Sequence, residues 1–307
     1  MPLAVARSVA APDNLRGMAW MLVSVAGATT MTVLVRALTP ELHSSMIAFL
    51  RSAMGLVFVA PLLLRPQGAV TLRLSRPGLH LLRGALVAVS LNFGFYAIWQ
   101  LPLATATILF FLAPIFSTML APFMIGERVG VWRWSAIGVA FLGSMVVLRP
   151  GGAPLDLAVA AAVLSSLLFA VSLLLGKTAS AADGSAAVFA STAILSAVLT
   201  LPMALFVWAA PTGGLVWLTL VALTCAGSLR SYADIRAFAC GEASVVGPIS
   251  YLRLPSVALV GWLLFGEVTD VWTWAGGALI VAAALVIALR ERSPRAARAA
   301  PPSPSDA

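Results

Sequence analysis

Apolar residues fill most of this chain in long runs, and short polar segments separate those runs. A helix needs about 20 apolar residues to cross a bilayer. Ten runs meet or approach that length, so the pattern predicts ten membrane-spanning helices. The predicted spans are 17–38, 44–64, 79–100, 103–125, 131–148, 155–176, 185–209, 214–239, 243–265 and 271–289.

A nine-residue pattern occurs twice and indicates an internal duplication. Gly126 to Trp134 and Gly266 to Trp274 both read G-E-x-x-x-V-W-x-W, and the two copies start 140 positions apart. Each copy lies between the last two spans of a half, which predicts one repeat at 15–149 and a second at 155–290. Five spans per repeat is an odd number, so the repeats would cross the membrane in opposite directions, as in many secondary transporters.

The expected fold class is therefore an all-α polytopic membrane protein, with ten transmembrane helices arranged as two inverted five-helix repeats. The tail at 291–307 is basic and then rich in proline and serine. Such a composition cannot bury enough apolar surface to fold, so we predict a disordered cytoplasmic tail.

Composition supports the membrane interpretation, and the positions of the basic residues predict the orientation. Hydrophobic residues make up 61% of the chain and charged residues 10%, whereas soluble domains carry about 25% charged residues. With the N-terminus in the cytoplasm, fourteen lysines and arginines fall on the cytoplasmic side and only Arg36 and Arg149 fall outside. This bias predicts that both termini are cytoplasmic. The formal charge of +8 is spread over loops, which argues against a nucleic-acid partner.

No motif in the sequence indicates catalysis or a bound cofactor. The chain lacks a recognisable Ser/His/Asp set, a paired-carboxylate motif, a phosphate-binding glycine loop and a Cys/His cluster. We therefore expect no enzyme activity, no metal and no cofactor. An intramembrane enzyme and a non-transporting membrane scaffold are the alternatives from other functional classes.

Four charged residues within the predicted spans are the main candidates for function. Arg51 lies in span two and Arg253 near the middle of span nine, with no acidic residue evident at matching depth. An unpaired arginine at the bilayer centre costs at least about 2.5–3.5 kcal/mol, so each needs a partner or a water-filled cavity. Arg230 and Asp234 are four residues apart in span eight and would share one helix face. They are predicted to form an intramembrane ion pair, which could simply pin helices together.

Other polar and irregular positions give weaker signals. Pro114 and Pro255 lie at nearly corresponding places in the two repeats, and such helix breaks either mark a central site or are packing kinks. Glu127 and Glu267, one in each nine-residue pattern, are expected to be structural and to bond free backbone N–H groups at the starts of spans five and ten. Four further side chains are candidate contacts to a bound solute, although each could instead bond a neighbouring helix. They are Asn92, Tyr96, Tyr232 and Tyr251.

Several of these segments resemble the EamA family of the drug/metabolite transporter superfamily. In the first half the resemblance rests on 101–107 (LPLATAT), 111–114 (FLAP), 126–128 (GER) and 148–151 (LRPG). In the second half it rests on 236–238 (RAF), 243–248 (ASVVGP), 251–254 (YLRL) and 261–267 (GWLLFGE). The stretch 230–234 (RSYAD) departs from the family by being more charged than usual.

The resemblance implies a ten-helix carrier of small organic solutes in a bacterial inner membrane, surrounded by membrane lipid. Relatives of this kind export amino acids, their derivatives or opine-type metallophores, while others take up S-adenosylmethionine or riboflavin. We expect export of an amino-acid-like or carboxylate-bearing metabolite by alternating access, with uptake of a vitamin or nucleoside-like cofactor as the alternative. Arg51 and Arg253 are expected to hold the carboxylate, because a guanidinium bonds it in a bidentate manner. A proton as coupling ion and a homodimer stay open.

Overall fold

The computed structural model describes residues 13–63, 74–126, 130–148, 156–241, 246 and 249–290. These residues form α-helices and one short 3-10 helix, and no strand occurs among them. The helices are α1 (Asn14–Leu38), α2 (Ser44–Leu63), α3 (Pro77–Gln100), α4 (Leu103–Phe110), α5 (Leu112–Ile125), α6 (Val131–Leu148), α7 (Leu157–Asp183), α8 (Ser185–Phe206), α9 (Gly214–Cys240), α10 (Arg253–Phe265) and α11 (Val271–Arg290).

Every predicted span contains a helix, and the protein is a multi-pass membrane protein. Six helical stretches in the described part of the chain are long and apolar enough to cross a bilayer, and α2, α6, α10 and α11 provide shorter apolar helices. The helix α7 continues seven residues beyond the predicted end of its span at 176. Glu127, the joint between the predicted repeats at 149–154 and the tail at 291–307 lie outside the described residues.

Two helical stretches are interrupted at corresponding places. Phe111 separates α4 from α5, and a 3-10 turn at Ser250–Leu252 precedes α10. Phe111 and Tyr251 are 140 positions apart, and their rings meet edge to face with centroids 5.2 Å apart. Pro114 and Pro255 are each the third residue after the interruption. In a first turn the missing proline N–H removes no helical bond, so the interruptions precede the prolines instead of falling at them.

The two apolar helices that follow these interruptions end in the same way. Gly126 ends α5 with φ of 69° and Gly266 ends α10 with φ of 66°. This left-handed conformation is accessible to glycine without a side-chain penalty. The glycine of each G-E pattern therefore terminates a helix.

Helices from the first half of the chain pack mainly on helices from the second half. The most extensive contacts join α1 to α9, α3 to α7, α6 to α11 and α2 to α8. Small residues allow the closest approach, since a Cβ added at Gly17 would lie 2.8 Å from the Cα of Gly241. The halves are interleaved, and neither forms a separate body within the described residues.

The helices run alternately between two ends of the molecule. Arg36, near the end of α1, contacts Glu267 at one end, which we name the Glu267 end. His80, near the start of α3, contacts Asp183 at the other end, which we name the His80 end.

Candidate functional site

Four half-buried charged side chains lie near one another on α2, α9 and α10, and we call them the arginine cluster: Arg51, Arg230, Asp234 and Arg253. Arg51 comes from α2 and lies against α9, where a Cβ added at Gly227 would be 2.8 Å from its Nη2. Arg253 begins α10, and Arg230 is close enough to repel both Arg51 and Arg253 electrostatically.

Asp234 is the acidic member of the arginine cluster. Its Oδ2 lies 3.8 Å from the Nε of Arg230, as the four-residue spacing predicts. Its Oδ1 accepts a hydrogen bond from the hydroxyl of Ser24 in α1. Asp234 also attracts Arg253 electrostatically, so Arg253 has an acidic neighbour that was not evident from the sequence. Helix register, which the sequence does not give, brings the two together.

The hydrogen bonds of the arginine cluster are incomplete within the described residues. Arg253 Nη2 donates to Thr32 Oγ1 over 3.1 Å, whereas Arg51 makes no hydrogen bond or ion pair with any described residue. The Nε atoms of Arg51 and Arg253 are buried without an acceptor, as are the hydroxyl oxygens of Ser52 and Thr29. Buried polar atoms are almost always bonded, so these donors are available to a bound molecule or to water.

Asn92 and Tyr96 share a cavity whose lining residues include none of the four cluster side chains. They line a cavity of about 430 Å³ at the Glu267 end, together with His43 and apolar residues such as Leu164 and Met203. The Asn92 amide donates to Ala88 O, while its Oδ1 has no partner. Their role as contacts to a bound solute stays a prediction.

The two remaining tyrosine candidates have different surroundings. Tyr232 is 53% exposed and packs edge to face on Trp20, with ring centroids 5.6 Å apart. Tyr251 is half-buried and packs on Phe111. Tyr251 precedes Arg253 by two residues, and Tyr232 lies between Arg230 and Asp234 on α9.

Glu267 joins three segments at the Glu267 end. Its Oε1 accepts from Arg36 Nη2 over 2.8 Å, and its Oε2 accepts from the backbone N–H of Leu103, the first residue of α4, over 2.6 Å. The expected partner was an N–H at the start of α11. That position is capped instead by Asp270, whose Oδ1 accepts from Thr273 N over 2.8 Å.

A polar network at the His80 end was not evident from the sequence. His80 Nδ1 is 2.7 Å from Ser191 Oγ and its Nε2 is 2.9 Å from Asp183 Oδ2, so serine, histidine and aspartate do come together. All three side chains are buried, and Ser191 Oγ also lies 3.1 Å from Val188 O. A residue separation of 103 between His80 and Asp183 hides this contact from motif analysis.

Arg83 completes the polar contacts at the His80 end. Its Nε donates to Ser172 O over 3.1 Å, and its Nη1 donates to Val188 O and to the Thr192 hydroxyl. These bonds connect α3 to α7 and α8. A metal site is absent from the described residues, where no group of three or more His, Cys, Asp or Glu side chains is suitably placed.

Comparison with known proteins gives consistent results. The EamA-like transporter family matches residues 15–149. An S-adenosylmethionine uptake transporter of Rickettsia felis is 30% identical over 91% of this chain and 94% of its own length. A riboflavin transporter of Vibrio cholerae is 30% identical over 78% and 81%, respectively. The pseudopaline exporter CntI of Pseudomonas aeruginosa is 30% identical over 84% and 91%.

A solved crystal structure is similar in fold. It covers 90% of this chain and 97% of its own length, with a TM-score of 0.60 and 22% sequence identity. At that identity the likeness concerns the fold alone.

Proposed function

Because the chain belongs to the EamA-like transporter family of the drug/metabolite transporter superfamily, we propose that it is a secondary transporter for a carboxylate-bearing organic metabolite. Transport of a small molecule, without an enzymatic reaction, follows from the family. The carboxylate is our proposal, and the arginine cluster is the observation that carries it. The proposed location is the bacterial inner membrane.

The electrostatics of Arg51 support a role in solute binding. Removing an unpaired arginine from water into the membrane interior costs at least about 2.5–3.5 kcal/mol. Within the described residues no hydrogen bond or ion pair offsets that cost at Arg51, while Arg230 nearby adds a second positive charge. A solute carboxylate would both neutralise this charge and accept two parallel N–H bonds from one guanidinium.

The proposed architecture is ten spans in two inverted repeats, and the helix contacts support it. The counterparts of α1, α2, α3 and α6 in the second half are α7, α8, α9 and α11. Exchanging each helix for its counterpart converts the α1–α9 contact into the α7–α3 contact. The same exchange maps α2–α8 and α6–α11 onto themselves. A twofold relation between the halves produces such a pattern. Since the halves interleave, alternating access would move groups of helices drawn from both repeats, instead of one half against the other.

The proposed direction is export, as the sequence resemblance implies. Uptake is the second candidate, because relatives with 30% identity include S-adenosylmethionine uptake transporters. S-adenosylmethionine contains an amino-acid carboxylate, so either direction is compatible with a carboxylate site. A proton as coupling ion and a homodimeric assembly belong to the same proposal and need separate measurements.

Flux measurements in proteoliposomes test this function. Metabolites that differ between medium and cells with and without the protein would be identified first, then loaded inside or outside the vesicles. Wild-type protein should move a carboxylate-bearing member of that set, and the Arg51→Gln variant should reconstitute equally well and move it more slowly. Equal flux through protein-free and protein-containing vesicles for every such metabolite would favour a scaffold.

Reporter fusions test the proposed orientation independently. Fusions after Ala69 and Arg292 should report the cytoplasm, and a fusion near Asp270 should report the outer side. A cytoplasmic signal at Asp270 would contradict the inverted repeats.

A further inference from the structure

The balance of charges in the arginine cluster is uneven. Three guanidinium groups and one carboxylate meet there, which leaves two positive charges without a counter-charge among the described residues. A single solute carboxylate would neutralise one of them. The other would stay unpaired among apolar helices, where an uncompensated charge is strongly unfavourable.

The available hydrogen-bond donors are divided between two sides of the cluster. Arg51 Nε is free on α2, and Arg253 Nε is free at the start of α10. Arg230 stands near both and is already engaged with Asp234. Two free donors on two different helices suit two acceptor groups better than one, since a guanidinium and a carboxylate pair one to one in the bidentate geometry.

Asp234 is held in position independently of any solute. The hydroxyl of Ser24 donates to its Oδ1, and Arg230 faces its Oδ2. The carboxylate therefore serves as a built-in counter-ion for one of the three arginines. Its presence reduces the charge that a solute must supply from three to two.

We propose that the transported solute carries two negative groups, one held by Arg51 and the other by Arg253. This inference rests on the proposed function and specifies its substrate class as a dianion. Asp234 then sets the charge selectivity of the site. Removing its charge favours a more negative solute, and removing either arginine favours a less negative one.

Generic dicarboxylates are suitable probes, because the inference concerns charge and spacing and not a particular carbon skeleton. Succinate, glutarate, adipate and pimelate would each be titrated into purified protein in nanodiscs at low salt, with binding followed by calorimetry. The matched control for each is its monoamide, which has nearly the same size and one negative charge. At least one dicarboxylate should bind more tightly than its monoamide by about tenfold to a hundredfold, the range for one hydrogen bond to a charged group.

Substitutions in the cluster should change this preference in opposite directions. Arg51→Gln and Arg253→Gln should each weaken dicarboxylate binding by about tenfold to a hundredfold and reduce the preference over the monoamide. Asp234→Asn, which retains an oxygen for Ser24, should tighten dicarboxylate binding severalfold. Arg16→Gln removes one positive charge from the exposed start of α1 and should change neither affinity.

The outcomes separate this inference from the function on which it rests. If every dicarboxylate binds no more tightly than its monoamide, including the case of no binding, the dianion assignment is wrong. A flux assay that still shows Arg51-dependent transport of a monocarboxylate would then leave the proposed function intact. If flux is absent, or is insensitive to both arginines, the proposed function fails as well.

Discussion

Arg51 and Arg83 each lie against a glycine of a neighbouring helix, but only Arg83 forms hydrogen bonds within the described residues. Each guanidinium lies against a glycine of a neighbouring helix: a Cβ added at Gly227 would be 2.8 Å from Arg51 Nη2, and one added at Gly176 would be 2.8 Å from Arg83 Nε. Arg83 donates to two backbone carbonyls and a hydroxyl. Arg51 has no bonded partner among the described residues.

This difference separates a structural charge from a functional one. The bonds of Arg83 are all made within the protein, so a solute would have to break them to bind there. Arg51 has an Nε donor without an acceptor, and Arg230 is close enough to act on it electrostatically. A charged residue within an apolar run is unusual. Whether its hydrogen bonds are already made within the protein indicates whether its role is structural or functional.

The largest expected effect concerns Arg83. Arg83→Gln should lower the free energy of unfolding by about 2–3 kcal/mol, because it leaves buried acceptors unpaired and removes links between α3, α7 and α8. Thermal unfolding in detergent measures this change. Arg51→Gln is the matched variant and should unfold at or above the wild-type temperature, since it removes an unpaired charge from the interior. Equal destabilisation by the two substitutions would remove the contrast between the two arginines.

The second prediction concerns transport through the Arg51 site. Arg51→Lys should weaken solute binding by about tenfold, because an ammonium group keeps the charge but cannot form the planar bidentate pair. Arg51→Gln should weaken it further. Binding and flux of the identified solute would be compared in proteins with equal thermal stability. Wild-type affinity in both variants would assign Arg51 a structural role like that of Arg83.

The third prediction concerns Glu267, whose charge is already paired with Arg36. Glu267→Gln should reduce the free energy of unfolding by about 1–2 kcal/mol, since it loses the ion pair with Arg36 and weakens the bond to Leu103 N–H. The side chains of Arg36 and Glu267 are 23% and 15% exposed, so solvent screening lowers the contribution of the pair. Solute affinity should be unchanged. Selective loss of binding in a stable Glu267→Gln protein would contradict this structural role.

The fourth prediction extends that contact to the other repeat. Glu127 stands 140 positions before Glu267, and Lys177 stands 141 positions after Arg36. The predicted repeats therefore place Glu127 and Lys177 at positions that correspond to Glu267 and Arg36. Glu127→Lys and Lys177→Glu should each lower stability, and the double charge reversal should restore part of the loss in a double-mutant cycle. Strictly additive effects would reject the pairing.

The helices were predictable from the sequence because an apolar run of sufficient length specifies one with little dependence on its neighbours. The interruption at Phe111 was not predictable, since apolar residues stand on both sides of it. The contact between α4 and Glu267 was also missed, because it joins residues 164 positions apart. Such contacts depend on helix register and rotation, which a single sequence does not determine.

The same reasoning applies to the candidate site. The Arg230–Asp234 pair follows from four-residue spacing on one helix and is present. Asn92 and Tyr96 line a cavity together with residues of α7 and α8, and the sequence alone does not give this arrangement because it depends on helix rotation. Local geometry could be predicted, and the assembly of side chains from several helices required the fold.

The smallest expected effect comes from adding one methyl group beneath each of the two arginines. Within a helix, Gly→Ala stabilises by about 0.5–1 kcal/mol when the space permits it. At Gly227 the nearest atoms belong to the unbonded Arg51 side chain, which can shift without losing a hydrogen bond, so Gly227→Ala should retain most of that gain. Solute affinity should fall severalfold because the guanidinium is displaced.

At Gly176 the nearest atoms belong to Arg83, whose displacement stretches its bonds, so Gly176→Ala should be neutral or destabilising with unchanged affinity. Unfolding temperature and solute binding would be measured on both variants. If Arg51 were the structural arginine and Arg83 the functional one, Gly227→Ala would be the neutral or destabilising variant and Gly176→Ala the one with reduced solute affinity.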